Sequence, residues 1–489
     1  MEIKKLYRIL ILSILLIIVG ILCYLETFRG HTWGDDFALY IDQGRSIIDG
    51  GVVQLKEDTS FALQHSTHNH FSPALYPWGE PFLLSWFYYF FGLNLEVFIL
   101  VSAFFLPLTA ITAYFIFRKK LDFLSTVIVV ALWSFSPFII RFSPNIETSL
   151  NFTAFLLIAL TFSEKVLLDI NYYHVYRYYI FTGIAILIAF SFRTEGILVL
   201  FSYSILHAVL LFRRSVKFNQ INFYIPYVVV LFVCITSHFF LTDGTSTHFS
   251  HFNYTDIHSI ANNIINYTRS FHGYLSSYVP LWLYYLSIPI VFMAMYIRRR
   301  QDAIYIIFMF CDLSLFILWP DYDQRFCLSL FLFYCYFIVV GLRYMFKILL
   351  ASRPYISYVF LCSILILSMT NSLERGMFMF KSLRRSSDII ADGPESQQAI
   401  QMFNFVGKFT KRGDVIAFFR PRAMRLFTHR KSLAISTSFE ELKQQADYYV
   451  YHKNMGNFFQ VNMNNVHLET EKVFENENFE IFRLRKSGK

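Results

Sequence analysis

Hydrophobic residues in this chain come in long blocks rather than in the short alternations of a soluble core. The first block starts within MEIKKLYRIL and runs to about residue 25. Its basic start is that of a secretion signal. No small-residue cleavage site follows, however, so it predicts a first membrane helix. Ten further blocks centre on residues 95–117, 122–140, 150–163, 177–192, 197–212, 222–241, 277–297, 302–319, 326–346 and 354–370. Each is near the ~20 residues a spanning helix needs. The pattern predicts a polytopic α-helical membrane protein with about eleven transmembrane helices, of which the two flanking Arg193 are short.

Two stretches break the pattern. In the segment 26–94, Phe37, Ile41, Gly44 and Ile48 recur at helical spacing, which predicts an amphipathic helix on the lipid interface. Beyond residue 370 the composition becomes that of a soluble domain. There DVIAFF and ADYYVYHK predict strands, PRAMRLF a short helix and ENENFEIFRL a terminal hairpin. The division is a membrane domain, 1–370, carrying the loop 26–94, and a small α/β domain, 371–489. No internal repeat or low-complexity linker separates them.

Basic residues orient the spans. With the N-terminus in the cytoplasm, seventeen lie in inner loops: Lys4, Lys5, Arg8, Arg118, Lys119, Lys120, Lys165, Arg177, Arg213, Arg214, Lys217, Arg298, Arg299, Arg300, Arg343, Lys347 and Arg353. Outer loops, the tail apart, hold seven: Arg29, Arg45, Lys56, Arg141, Arg193, Arg269 and Arg325. The loop 26–94, SPNIETS, SFRTEG, the His-rich stretch 242–276, DYDQRF and the C-terminal domain all then face outward.

Composition agrees with a membrane chain. Only 16% of the 489 residues are charged, 55% are hydrophobic and 19% aromatic, against about 25% charged in soluble proteins. The formal charge of +9 would suggest nucleic acid in a soluble protein, but 57 Phe and 32 Tyr in apolar runs assign it to the bilayer. Disorder, collagen-like repeats and a disulfide scaffold are excluded. The six cysteines (Cys23, Cys234, Cys311, Cys327, Cys335, Cys362) lie in apolar blocks without a CxxC pair.

Candidate chemistry gathers on the outer side. Asp35 and Asp36 open the amphipathic helix. Either Asp35 caps it and Asp36 complements its dipole, or one of them is a general base held beside a hydroxyl. Adjacent carboxylates also raise one another's pKa. Glu80 begins an apolar helix, where it is either an N-terminal helix charge or a substrate contact. His68 and His70, spaced HNH, and His248, His251, His258 and His272 lie in outer segments without an HExxH signature. They leave a divalent metal possible and call for no definite cofactor. Asp312 lies inside a block, as a functional residue or a buried helix contact. Arg420, Arg422 and Arg425 either help hold an anionic acceptor or form a solvated basic face, and the second reading is preferred.

These motifs resemble a known family. WGDDFALYIDQGRSIIDGG followed by YPWGEPFLLSWFYYFFG is similar to the first outer loop of the GT-C membrane glycosyltransferases. These include the protein O-mannosyltransferases, the lipid A aminoarabinose transferases and their bacterial relatives. Asp36, Tyr40 and Arg45 keep the spacing of that family's acid, aromatic and arginine, and Pro77, Gly79, Phe91 and Gly92 follow in its order. SFRTEG, DQRFCLSLFLFYCYF and FFRPRAMRLFTHRKS resemble later segments. One departure is clear: Tyr76-Pro77-Trp78 stands where lipid A transferases carry Lys-Pro-Pro, which removes a phosphate-binding lysine.

The resemblance implies a GT-C-like fold and a hexosyl- or pentosyltransferase in a bacterial inner (plasma) membrane. Its donor is a polyprenyl-phosphate sugar, its acceptor a hydroxyl of a glycan, lipid or protein on the extracytoplasmic face, and it needs no nucleic acid. Asp36, with Asp35 beside it, is the implied catalytic general base. Arg45, Arg193 and Arg325 are implied for the donor phosphate, whose oxygens a guanidinium holds in pairs. Tyr40, Glu80, His68 and His70 are weaker substrate contacts. The alternatives are a flippase for lipid-linked sugars and a glycan polymerase or ligase of the same fold. The near absence of charge inside the blocks disfavours the flippase.

Overall fold

The computed structural model describes residues 2–27, 30–67, 73–169, 175–215, 220–241, 257–275, 279–319, 322–349, 355–385, 392–455, 459–461 and 470–484. The first block forms α1 (Glu2–Glu26), and the loop after it folds into α2 (Asp36–Asp49), α3 (Val52–His65) and α4 (Gly79–Phe91). The apolar face of α2 does not lie on lipid as its spacing suggests. Phe37 and Ile41 are buried in protein, and only Ile48 is exposed. A Cβ on Gly44 would come within 2.8 Å of Pro81 O, so glycine lets α2 and α4 cross in backbone contact. The exposed apolar face belongs instead to α4. Its 13 residues are too few to span, and Phe82, Trp86, Tyr89, Phe90 and Phe91 stand exposed along it.

The bundle continues with α5 (Leu95–Phe117), α6 (Phe123–Ser134), α7 (Pro137–Phe142), α8 (Ser149–Leu168), α9 (Tyr176–Phe192), α10 (Ile197–Phe212), α11 (Ile225–Leu241), α12 (Ile257–Leu275), α13 (Leu281–Arg298), α14 (Ala303–Leu318), α15 (Leu328–Leu349) and α16 (Tyr355–Arg385). Every hydrophobic block coincides with a helix. The block at 122–140 divides into α6 and α7, with Pro137 in the first turn of α7, where its missing N–H costs nothing. The last block continues past residue 370 to Arg385 as one helix. Among the described residues, six helices are long and apolar enough to cross a bilayer. The chain is an integral membrane protein.

Hydropathy misses α12, because its buried face is polar and aromatic. Asn263, Tyr267, Ser270 and Tyr274 repeat at three- and four-residue steps and all point inward. Asn263 Nδ2 donates to Ile317 O (3.1 Å) and Trp319 O (2.6 Å), Tyr274 donates to Gln324 O (2.8 Å), and Ser270 bonds the Tyr322 hydroxyl. α12 thus braces the turn that carries Arg325.

Loops that the charge pattern puts on one side meet each other. Lys120 pairs with Glu164 and with Asp302 (2.7 Å), Arg298 Nε with Asp302 (2.8 Å), and Arg343 with Asp122. The segments assigned to the other side meet around Asp36.

The C-terminal domain comprises α17 (Gln397–Phe409), β1 (Val415–Ala417), α18 (Pro421–Thr428), β2 (Lys431–Leu433), α19 (Phe439–Gln445), β3 (Tyr448–His452), β4 (Thr470–Glu475) and β5 (Phe479–Leu484). The sheet order is β2-β1-β3-β5-β4. β1 runs parallel to β2 and β3, while β5 is antiparallel to β3 and β4. The expected strands, α18 and the hairpin are present. This domain shares one core with the first loop: Trp33, Phe37, Ile41 and Leu84 pack with Phe403, Phe418, Met424 and Phe479.

Candidate active site

Asp36 is the first residue of α2, and its carboxylate meets chain that arrives from three other segments. Tyr76 donates its hydroxyl to Asp36 Oδ1 (2.7 Å), and Arg325 Nη1 donates to Oδ2 (3.0 Å). Arg422 Nη1, at the start of α18, lies 3.4 Å from Oδ1. Arg325 also reaches Glu147 Oε2 (3.4 Å) and Asp323 Oδ2 (2.7 Å). Among the described residues its Nη2 donates to no carboxylate. Desolvation alone would raise the Asp36 carboxyl. Arg325 and Arg422, with the Tyr76 hydroxyl, outweigh it and hold Asp36 below its ordinary value. Asp36 is therefore ionised at neutral pH.

Its neighbour differs. The Asp35 side chain makes no cap hydrogen bond, so the capping role is not realised. Asp35 is 8% exposed, against 29% for the Asp36 side chain, and faces Arg422 Nε at 3.7 Å. Burial pushes its carboxyl up to about 6, against the pull of Arg422 and Arg420. The pair is thus split into one open carboxylate and one enclosed one.

The other expected residues fall into three groups. Arg325 and Arg193 are at the site. Arg193 is already held by Glu195 through Nε (3.0 Å) and by Ser149 Oγ (2.9 Å), and Ser149 N donates to Glu147 (2.9 Å). Tyr40 is behind it: one turn on from Asp36, it is buried and stacks on Tyr76 at 4.5 Å, so it supports Tyr76 rather than meeting a substrate. Arg45 and Glu80 are elsewhere. Nine residues along a helix turn a side chain by about 180°, which carries Arg45 to the opposite face of α2. There it pairs with Asp42 and donates to Leu426 O (2.9 Å), in a network completed by Arg425 with Asp42 and Asp58. Arg45 fastens α2 to α18 and does not reach the site. Glu80 is fully buried and accepts from Asn151 Nδ2. Burial pushes its carboxyl up to about 8, so it is neutral at ordinary pH and packs inside the protein rather than binding substrate. His68 and His70, like His248 and His251, lie outside the described residues. His272 bonds Val279 O (2.9 Å). Among the described residues no three His, Cys, Asp or Glu converge to hold a metal.

Three participants are absent from the sequence expectation: Glu147, Tyr76 as a donor to the acid, and Arg422. Tyr76 stands where the lysine is missing, and its hydroxyl is kept protonated by burial and by the Asp36 charge. Arg422 is the reverse of a solvated residue, at 4% exposure. A signal for it exists in the charge balance. Residues 30–67 carry Asp35, Asp36, Asp42, Asp49, Glu57 and Asp58 against Arg45 and Lys56. Residues 408–431 carry eight Lys and Arg against Asp414.

An apolar cavity of about 260 Å³ opens between α12, α13, α14 and α15, lined by Tyr267, Phe271, Ile288, Phe310, Leu330 and Tyr334 among others. Leu330 lies five residues beyond Arg325, on the order of 8 Å along the chain axis. The cavity holds none of the charged groups. Its link to the site is the helix α15, which contributes Leu330 and Tyr334 to the lining and follows the turn bearing Arg325.

Residues 76–240 match the family model of dolichyl-phosphate-mannose-protein mannosyltransferases. No curated protein sequence matches the chain significantly. Among solved structures, ArnT from Cupriavidus metallidurans bound to undecaprenyl phosphate superposes with a TM-score of 0.59 at 11% identity, covering 98% of both chains. The archaeal oligosaccharyltransferase AglB from Archaeoglobus fulgidus, in complex with an inhibitory peptide and a dolichol-phosphate, gives 0.56 at 13% identity. It covers 92% of this chain and 70% of its own. End-to-end superposition at such low identity is a likeness of fold, and it includes the outer loop and the tail domain as well as the bundle. The chain has the fold of the GT-C membrane glycosyltransferases.

Proposed function

We propose that this protein moves a sugar from a polyprenyl-phosphate donor to an acceptor hydroxyl on the extracytoplasmic face of the membrane. The observation that carries the reading is the part-open Asp36 carboxylate, held ionised beside Arg325. The solved relatives with undecaprenyl phosphate and dolichol-phosphate support the donor class. In the reaction, the acceptor oxygen attacks the anomeric carbon and its proton passes to Asp36. The bond from that carbon to the phosphate oxygen breaks, and the electron pair leaves with the polyprenyl phosphate. Arg325 meets the growing charge on that oxygen through Nη2, and the lipid chain occupies the cavity along α15. Purified full-length protein in liposomes, given polyprenyl-phosphate sugars and candidate acceptors, is expected to release polyprenyl phosphate. Folded protein that releases none from any such donor would remove the reading.

The sidedness rests on the loop charges and on the meeting of the outer segments around Asp36. Arg412 is exposed in the C-terminal domain, and the native cysteines among the described residues lie in membrane helices. An Arg412→Cys variant is therefore expected to react with an impermeant maleimide added outside intact cells. Reaction only after lysis would reverse the orientation.

A further inference from the structure

Arg422 and Arg325 both face Asp36, but they are held in different ways. Arg325 is 28% exposed on its side chain and sits in a short turn before α15. An arriving phosphate has access to it. Arg422 is enclosed. Its Nη2 donates to Pro73 O (2.8 Å), its Nη1 to the Tyr76 hydroxyl (3.2 Å) and to Asp36 Oδ1 (3.4 Å), and its guanidinium lies over the Tyr76 ring at 5.2 Å. Its helix is fixed in turn. Arg425, one turn on, pairs with Asp42 and Asp58, and Arg45 donates to Leu426 O. When a phosphate draws on Arg325, Arg422 is the cation that stays with the base.

We propose that Arg422, delivered by the C-terminal domain, is the positioning residue that holds the Asp36 base in place, together with Tyr76. The inference rests on the reading of Asp36 as that base. It makes the outer domain part of the active site, since among the described residues no residue of the membrane bundle replaces a guanidinium that touches Asp36, Tyr76 and Pro73 at once. The groups facing Asp36 are Arg325 from the turn before α15, Arg422 from α18, Tyr76 from the segment before α4, His31 from the segment before α2, Tyr40 one turn on in α2, and Asp35 beside it. Glu147, before α8, and Asp323 lie across Arg325, and Arg420 stands next to Asp35. Of the cations, Arg422 and Arg325 act on Asp36 most directly. Removing Arg422 moves the Asp36 protonation midpoint upward.

The test uses the full-length protein with Arg422→Met and Arg422→Lys. The first readout needs no substrate: the part of the infrared pH-difference spectrum that Asp36→Asn abolishes reports the Asp36 carboxyl. Its midpoint is expected to rise in Arg422→Met and to return most of the way in Arg422→Lys. The second is turnover of a polyprenyl-phosphate sugar. In Arg422→Met, kcat at neutral pH is expected to fall roughly 10–100-fold, its acid limb to move to higher pH, and the donor KM to change little. An unmoved infrared midpoint in folded Arg422→Met overturns the inference. So does failure of both variants to fold, which would make Arg422 a structural pin. Should Asp36→Asn itself keep full turnover while the midpoint moves, it is the function of Asp36 that fails and not the positioning.

Discussion

Asp36→Asn is expected to lower turnover by about 10²–10⁴-fold, the range of general-base assistance, while donor binding stays in place. The amide keeps the volume of the carboxylate and still accepts from Tyr76, but it cannot take the proton of the acceptor hydroxyl. Asp35→Asn is expected to cost less. Its side chain caps nothing and is enclosed, and burial has already moved its carboxyl toward the neutral form. The sign of the pH dependence follows from the same contacts. Asp36 must be ionised to act, and its cations hold it below the ordinary value. The rate is then steady through neutral pH and falls only as pH drops through that lowered midpoint. Steady-state kinetics on both purified variants decide the ordering. An active Asp36→Asn beside a dead Asp35→Asn would move the base by one residue.

Arg325→Gln carries the second large effect, about 10²–10³-fold in turnover, as for a pre-placed donor aimed at developing charge. The donor KM is expected to rise as well, because Arg325 is the part-exposed cation paired with Asp36. Arg325→Lys is expected to recover only a fraction, since one ammonium cannot bridge Asp36, Glu147 and a phosphate together. Arg193→Gln is the contrast: Glu195 and Ser149 already engage that guanidinium, so its loss is expected to be smaller. Kinetics that leave Arg325→Gln within a few-fold of the parent, with Arg193→Gln severely impaired, would transfer the phosphate to Arg193.

The spans were legible because a membrane helix must be apolar along its whole length, and the residues alone show that. The Asp36–Tyr40 relation was legible too, because four residues on a helix share a face. What the sequence hid lies in contacts between remote segments. Arg45 fits a familiar spacing yet points the wrong way, since spacing along a motif does not say which side of the helix carries the chemistry. Arg422 looked solvated because its partners Asp35, Asp36 and Tyr76 lie more than three hundred positions earlier. α12 escaped because a helix buried through Asn263, Tyr267 and Ser270 scores as polar. In each case tertiary partners, not local pattern, decided whether a polar side chain faced water.

The aromatic edge of α4 is mechanically joined to the carboxylate it neighbours. Phe82, Trp86, Tyr89, Phe90 and Phe91 stand exposed on it, and aromatic rings favour the boundary between acyl chains and headgroups. α4 crosses α2 in backbone contact at Gly44, with no side chain between them to give, so a force on that aromatic edge is passed to the helix that begins with Asp36 rather than absorbed on the way.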